Sequence, residues 1–349
     1  MDRNMNMKNV VRISILVLAL LAVGADGGHA QGGTYIGTSA ANFLKVGIGA
    51  KAVGMAEAYI TMSDDATSLY WNPGAISRID RTSIVFSTLW WLVDTHVSYA
   101  AVTMPFSIGT VGFDVAYFGS GDIEETTLAE QDGTGRVVSA SDLALGLAYA
   151  RNFTDRFSVG IKFKYVHEQL ASVSASAMAF DIGSVFTTNF LNDLRIGINL
   201  ANFGSDLRFE GRDLLVTHVV PGSPTGKQVP AVLETSDWPL PLFLQIGIAT
   251  DAYRSDAFKA TLAYSVTDSR DHGARHNLGA ALTFLSLGGV GDLALRGGYR
   301  FLYDEATFSA GVGVQVNGGS FGKVAVDYAY TDFGRLKGVH QLTLGLMFD

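Results

Sequence analysis

From Thr82 onward the chain repeats segments in which apolar side chains alternate with small or polar ones, and turn residues separate the segments. A period of two belongs to a β-strand, whose successive side chains point to opposite faces. The last segment, "VHQLTLGLMFD", is the clearest: Leu342, Leu344, Leu346 and Phe348 fall on one face, and Gln341, Thr343 and Gly345 on the other. "TFSAGVGVQVN" sets Phe308, Ala310, Val312, Val314 and Val316 against Ser309, Gly311, Gly313, Gln315 and Asn317. "FKATLAYSV" and "FSVGIKFKYV" repeat the pattern, the second placing Val159, Ile161, Phe163 and Tyr165 against Gly160, Lys162 and Lys164.

Alternation alone fits a soluble sandwich as well as a membrane barrel. Length separates them, because a tilted strand crossing a bilayer needs about nine to eleven residues and a sandwich strand nearer five or six. The pattern predicts strands near 82–93, 95–106, 109–119, 140–152, 157–168, 176–188, 194–204, 240–251, 257–268, 276–287, 291–303, 306–317, 320–331 and 338–348. That is about fourteen, an even number, as bacterial barrels require. Connections after even-numbered strands are short, as in "SIG" and "FTDR". Those after odd-numbered strands include the long ones: 119–139, 205–239, 269–275 and 332–337. Such sorting suits a barrel with both termini in the periplasm. Tyr299, Phe301 and Tyr303 lie where an aromatic girdle is expected. The predicted fold class is an all-β transmembrane antiparallel barrel in the bacterial outer membrane, surrounded by its lipid.

Composition agrees: 48% of the residues are hydrophobic and only 17% charged, against about a quarter in ordinary domains. One long apolar run exists, Ile13 to Val23, preceded by Arg3, Lys8 and Arg12 and followed by small Gly28 and Ala30. That is an export-signal pattern, so residues 1–30 are expected to be cleaved. Without cysteine there is neither a disulfide framework nor a thiolate metal site. A net charge of −8 and the absence of basic stretches punctuated by aromatics exclude nucleic acid as a partner.

Several phrases resemble the PorV/PorQ family, a branch of outer-membrane barrels similar to the FadL fatty-acid transporters. They are "SAANFLKVGIGAKAVGMAEAYITMSDDATSLYWNPGAI" at the front, "GDIEETT" and "NLANFGSDLRFEG" in the middle, and "LPLFLQIGIAT" and "VDYAYTDFGRLKGVHQLTLGLMF" at the end. The chain departs from the family in three places. Its turn reads Pro73, Gly74, Ala75 where the family has Pro-Ala-Gly, the insert at 205–237 is long, and Asp349 follows the terminal aromatic.

The resemblance implies an amino-terminal hatch (plug) at the periplasmic end. The expected organisation is residues 1–30 signal, 31–80 periplasmic segment and plug, and 81–349 barrel. Asp64, Asp65, Tyr70, Trp71, Asn72 and Pro73 fall in the plug, with Asp64 and Asp65 capping or pairing with lumen cations such as Arg296 and Arg300. Lys162, Lys164, Arg195, Arg296, Arg300 and Asp327 are expected to face the lumen, either neutralising one another or lining an anion path.

No catalytic site emerges, because the chain has no nucleophile elbow and no Gly-rich loop ending in Lys-Ser or Lys-Thr. His272 and His276 share a short spacing in "DHGARH", expected to be a surface loop without a third ligand, so no metal and no cofactor is expected. The resemblance then leaves two functions. One is a non-enzymatic partner of type IX protein secretion, its loops docking on a translocon or on exported cargo proteins. The other is a FadL-like channel for hydrophobic ligands, opened sideways by strand kinks at Gly297 and Gly298.

Overall fold

The computed structural model describes residues 37–219, 228–287, 289, 291–319 and 322–348; the expected signal at 1–30 lies outside them. Fourteen long antiparallel strands form the wall. They are β1 (Thr82–Trp90), β2 (His96–Phe106), β3 (Gly109–Gly119), β4 (Ala140–Thr154), β5 (Phe157–Leu170), β6 (Val173–Thr187) and β7 (Arg195–Gly204). The remainder are β8 (Phe243–Arg254), β9 (Phe258–Ser269), β10 (His272–Leu287), β11 (Gly291–Phe301), β12 (Phe308–Asn317), β13 (Lys323–Asp332) and β14 (Gly338–Phe348).

Each strand pairs with its sequence neighbours, and β1 pairs with β14 from Thr82↔Phe348 to Trp90↔His340, which closes the cylinder. Closure is the only way for a sheet in hydrocarbon to satisfy every backbone amide. Alternation sorts the two faces as the sequence pattern predicts. Phe86, Leu344, Val314 and Ile161 are exposed on the outside, while Ser83, Ser87, Gln341 and Thr343 are buried inside. No helix among the described residues is long and apolar enough to cross a membrane; the strands do the crossing.

The connections divide between two ends. At the turn end, residues 107–108 and 155–156 make tight reversals; at the loop end lie the long connections 120–139 and 205–242. Two expectations fail here. The predicted loop at 269–275 is strand from His272, leaving only residues 270–271 as the link. Leu302 takes a left-handed φ of 63°, and Tyr303 beyond it leaves the outer girdle to line the interior beneath the Arg275 guanidinium, 4.7 Å away.

Ahead of the wall, residues 38–81 thread the cylinder. They contain a 3₁₀ turn (Asn42–Lys45), the short helices α1 (Ala50–Gly54) and α2 (Ser68–Trp71), and a second 3₁₀ turn (Pro73–Arg78). The thread runs the full height. Ala40 N–H donates to Pro239 O at the loop end, and Arg78 bonds Thr187 and Arg156 at the turn end. A segment confined to the turn end is therefore too narrow a description.

Candidate functional site

The interior is a threaded lumen, and its construction starts at Asn72. This side chain caps the second 3₁₀ turn by accepting from Gly74 N–H at 2.9 Å, with Pro73 at the first turn position, where its missing N–H is harmless. Its amide donates to Ile60 O and to Ser184 O on β6, each at 3.0 Å, so one buried residue ties thread to thread and thread to wall. The wall makes room with glycines: a Cβ on Gly160 would stand 2.4 Å from Pro73 O. Below, Arg78 donates to Ser158 Oγ, Thr187 Oγ1, Arg156 O and Val185 O at 2.7 to 3.1 Å.

Tyr70 and Trp71 hold the other arm of the thread. Trp71 Nε1 donates to Ile48 O at 2.9 Å, and the Tyr70 hydroxyl lies 2.9 Å from the carbonyls of Leu44 and Val46. The two rings meet edge-on with centroids 5.0 Å apart.

Charged side chains form a paired lattice between thread and wall. Asp65 is fully buried 2.8 Å from Lys51 of α1, and Lys51 also stands 3.9 Å from Asp327, which Arg296 holds at 2.7 Å. Arg300 pairs with Glu57 of the thread at 3.2 Å. On the opposite wall Lys162 binds Asp114 at 2.6 Å and Leu69 O at 3.2 Å, Lys164 binds Asp181 at 2.8 Å and also Asn202, and Arg195 binds Asp251 at 3.2 Å. Buried charges persist only when paired, so these contacts fix geometry more than they add net stability.

The sequence expectations fare differently. Lys162, Lys164, Arg296, Arg300 and Asp327 are drawn into the lattice, as is Arg195 nearer the turn end. Asp65 pairs with Lys51, which the sequence reading missed, and not with Arg296 or Arg300. Asp64 is exposed and accepts from the Tyr59 hydroxyl at 3.2 Å. Lys51 gave no signal because the thread has no period that would place it beside Asp65. His272 and His276 do not converge: His272 lines the interior, whereas His276 faces outward and bonds Tyr264. No group of metal-ligating side chains occurs among the described residues.

At the loop end the thread is pinned to the link between β9 and β10. Asp271 accepts from Ser39 Oγ at 2.8 Å, from Ser269 Oγ at 2.7 Å and from Lys45. Burial pushes this carboxyl upward, but the three donors and the lysine charge outweigh it and hold it at about 2. Glu168 takes the Ala41 N–H at 2.9 Å. Between this anchor and Trp71 remains a cavity of about 220 Å³, lined by Phe43, Trp71, Trp91, Phe243 and Tyr303 together with Arg275 and Arg300. Gly298 faces inward against Met55 and Ala56, and pairing of β11 with both neighbours continues unbroken through Gly297 and Gly298, so the wall has no gap at that point.

A family model described as type IX secretion system protein PorV matches residues 29–213, covering the thread and β1 to β7. No curated protein matches the chain. Among solved structures it is similar to the CymD monoaromatic hydrocarbon channel, at 13% identity and a TM-score of 0.57 over 86% of this chain and 97% of that one. The toluene transporter TbuX of Ralstonia pickettii gives 12% identity and 0.57 over 87% and 99%. The toluene transporter TodX of Pseudomonas putida gives 10% and 0.54 over 86% and 97%. At such identities these likenesses establish the fold, a FadL-type barrel of the bacterial outer membrane. With the family model spanning more than half of its length, the chain belongs to the PorV family.

Proposed function

We propose that this barrel is a non-enzymatic partner of type IX protein secretion that works through its loop end, engaging the translocon or exported cargo there. The observation that carries the reading is where interior and exterior are spent. The lumen is threaded along its height and its charges are paired, whereas the connection 205–242 offers apolar surface to the outside. The base of that connection is folded on itself: Leu207 is fully buried, it bridges to Trp238, and Arg208 holds Asp237 at 2.7 Å. From this base projects a hairpin (Leu215–Val219 with Gln228–Val232) whose Leu215, Val219 and Val232 are more than half exposed. Exposed apolar side chains on a braced, projecting element suit contact with another protein.

In this reading the thread is a plug, residues 1–30 are removed on export, and residues 81–349 are the scaffold that presents the loops. The test compares secretion of cargo in cells with the wild-type chain, without it, and with Leu215, Val219 and Val232 replaced by serine. Export should fail in the second and third while the serine variant still assembles as a barrel. Unimpaired secretion together with lost uptake of an apolar solute would overturn the proposal.

The aromatic-lined cavity favours a second reading, a channel for hydrophobic small molecules, as the names of the structural neighbours suggest for those proteins. Its entry would require the Phe43 to Ile48 stretch to move aside. Uptake of a labelled aromatic hydrocarbon by cells, lost on Trp91→Lys, would support it, and equal uptake by cells lacking the chain would exclude it.

A further inference from the structure

The outer face of the wall is not the same at its two rims. Near the turn end the outward aromatics are mostly phenylalanine, as at Phe153, Phe157, Phe186, Phe258 and Phe284. Near the loop end histidine is interleaved with tyrosine. His276 Nδ1 lies 2.6 Å from the Tyr264 hydroxyl, and His340 Nδ1 lies 2.6 Å from the Tyr328 hydroxyl. His167 stacks on Tyr165 with ring centroids 6.5 Å apart and bonds Ser176 at 2.9 Å, and His96 sits 5.9 Å from Tyr117.

These four are all the outward-facing histidines on the fourteen wall strands among the described residues, and each lies within a few residues of the loop end of its strand. Two of them share one row across three adjacent strands, since Trp90 of β1 is paired with His96 of β2 on one side and with His340 of β14 on the other.

We propose that this rim binds the phosphate groups of membrane lipids through its tyrosine–histidine pairs. Aromatic rings alone are enough to anchor a barrel at the interface, and the phenylalanine rim does so. An imidazole adds something a phenyl ring lacks, a strong N–H donor, at the expense of a polar group that hydrocarbon would penalise. The position resolves that conflict only if the ring meets headgroups. When the phenol donates to Nδ1 of His276 or His340, the imidazole proton is left on Nε2, the nitrogen away from the tyrosine. That leaves a fixed donor for a headgroup oxygen, and a phosphate is the strongest acceptor a lipid presents at this depth. The inference does not depend on a role in secretion.

The test uses the whole chain purified in neutral detergent and titrated with dioleoylphosphatidate or with dioleoylglycerol, which lacks only the phosphate, bound lipid being counted by native mass spectrometry. The wild-type chain should prefer the phosphatidate. The combined variant His96→Phe, His167→Phe, His276→Phe, His340→Phe should need roughly tenfold more of it for equal occupancy, the size expected from losing a hydrogen bond to a charged group. The matching glutamine set, which restores an N–H donor, should recover most of the binding. Heat-modifiable gel migration checks that each variant is a closed barrel, and the single His276→Phe and His340→Phe variants serve if the combined one is not. Equal affinity of wild type for the two lipids, or unchanged phosphatidate binding by the folded phenylalanine variant, overturns the proposal.

Discussion

Gly183 of the wall and Asn72 of the thread leave no space between them: a Cβ added to Gly183 would stand 2.1 Å from Asn72 Oδ1 and 2.8 Å from the Pro73 ring. Neither neighbour can retreat, because Asn72 is held by Ile60, Ser184 and Gly74, and Pro73 is backed by Gly160. Gly183→Ala should therefore destabilise the folded barrel by about 1–3 kcal/mol, the usual range for overpacking. Gly273→Ala, whose added methyl would meet nothing within 4 Å, should be neutral. The temperature at which the compact gel band converts to the unfolded one measures both, and equal temperatures would refute the close fit.

The lattice around Lys51 makes a second prediction. Lys51→Met leaves Asp65 buried with no cation, and removing one partner of a buried pair typically costs about 3–5 kcal/mol. Adding Asp65→Asn should recover part of that loss, because the stranded charge is gone and the amide still accepts from Thr67, whose N–H lies 2.9 Å away. Asp327→Asn alone should be milder in its effect on Lys51, which keeps Asp65 at 2.8 Å. A double-mutant cycle on thermal unfolding reads the coupling, and strict additivity of Lys51→Met and Asp65→Asn would show that the pair does not interact.

These two sites also show what the sequence could and could not reveal. The wall was legible because a lipid-facing strand must alternate, and residues such as Leu342 and Thr343 announce their faces by period alone. The lumen charges were legible for the same reason, since Lys162 and Lys164 fall on the polar face of a strand whose phase is fixed by Ile161 and Phe163. The thread has no phase. Its turns are short, its backbone is irregular, and the partner of Asp65 is set by how α1 packs against β13, which no local pattern encodes. Glycine and charge around His272 point to loop in the sequence, whereas the tight link at residues 270–271 lets β10 start at His272 itself.

The loop-end anchor should respond to acid. The Asp271 carboxyl is held at about 2, below its ordinary value of 3.8, so its contribution through Ser39 and Lys45 is complete above about pH 4 and is lost as the pH falls through about 2. The chain contains no cysteine, which allows a single spin label at Asn42→Cys. Its spectrum should be immobile at neutral pH and sharpen as the pH falls through about 2, while Asp271→Asn should already be sharp at neutral pH. An immobile label in that variant would show that the hydrogen bonds of Ala40 and Ala41 suffice without the carboxylate.

Whether the thread blocks passage is decided by current. With residues 42–79 in place, Lys51, Asp65 and Glu57 are paired and not free ions, and α1 and α2 fill space inside the cylinder against β11 to β14 and β3. Removing those residues would leave a cylinder of fourteen strands lined by Ser87, Thr343, Gln341 and charges such as Arg296, wide enough to fill with water. The shortened chain should therefore show stable openings in planar bilayers where the full chain is nearly silent. If the deletion prevents insertion, the variant Lys51→Met with Asp271→Asn loosens an ionic contact at each of two levels of the thread and should give brief openings instead. Equal conductance of the inserted shortened chain and the full chain would show that the thread is not what closes the barrel.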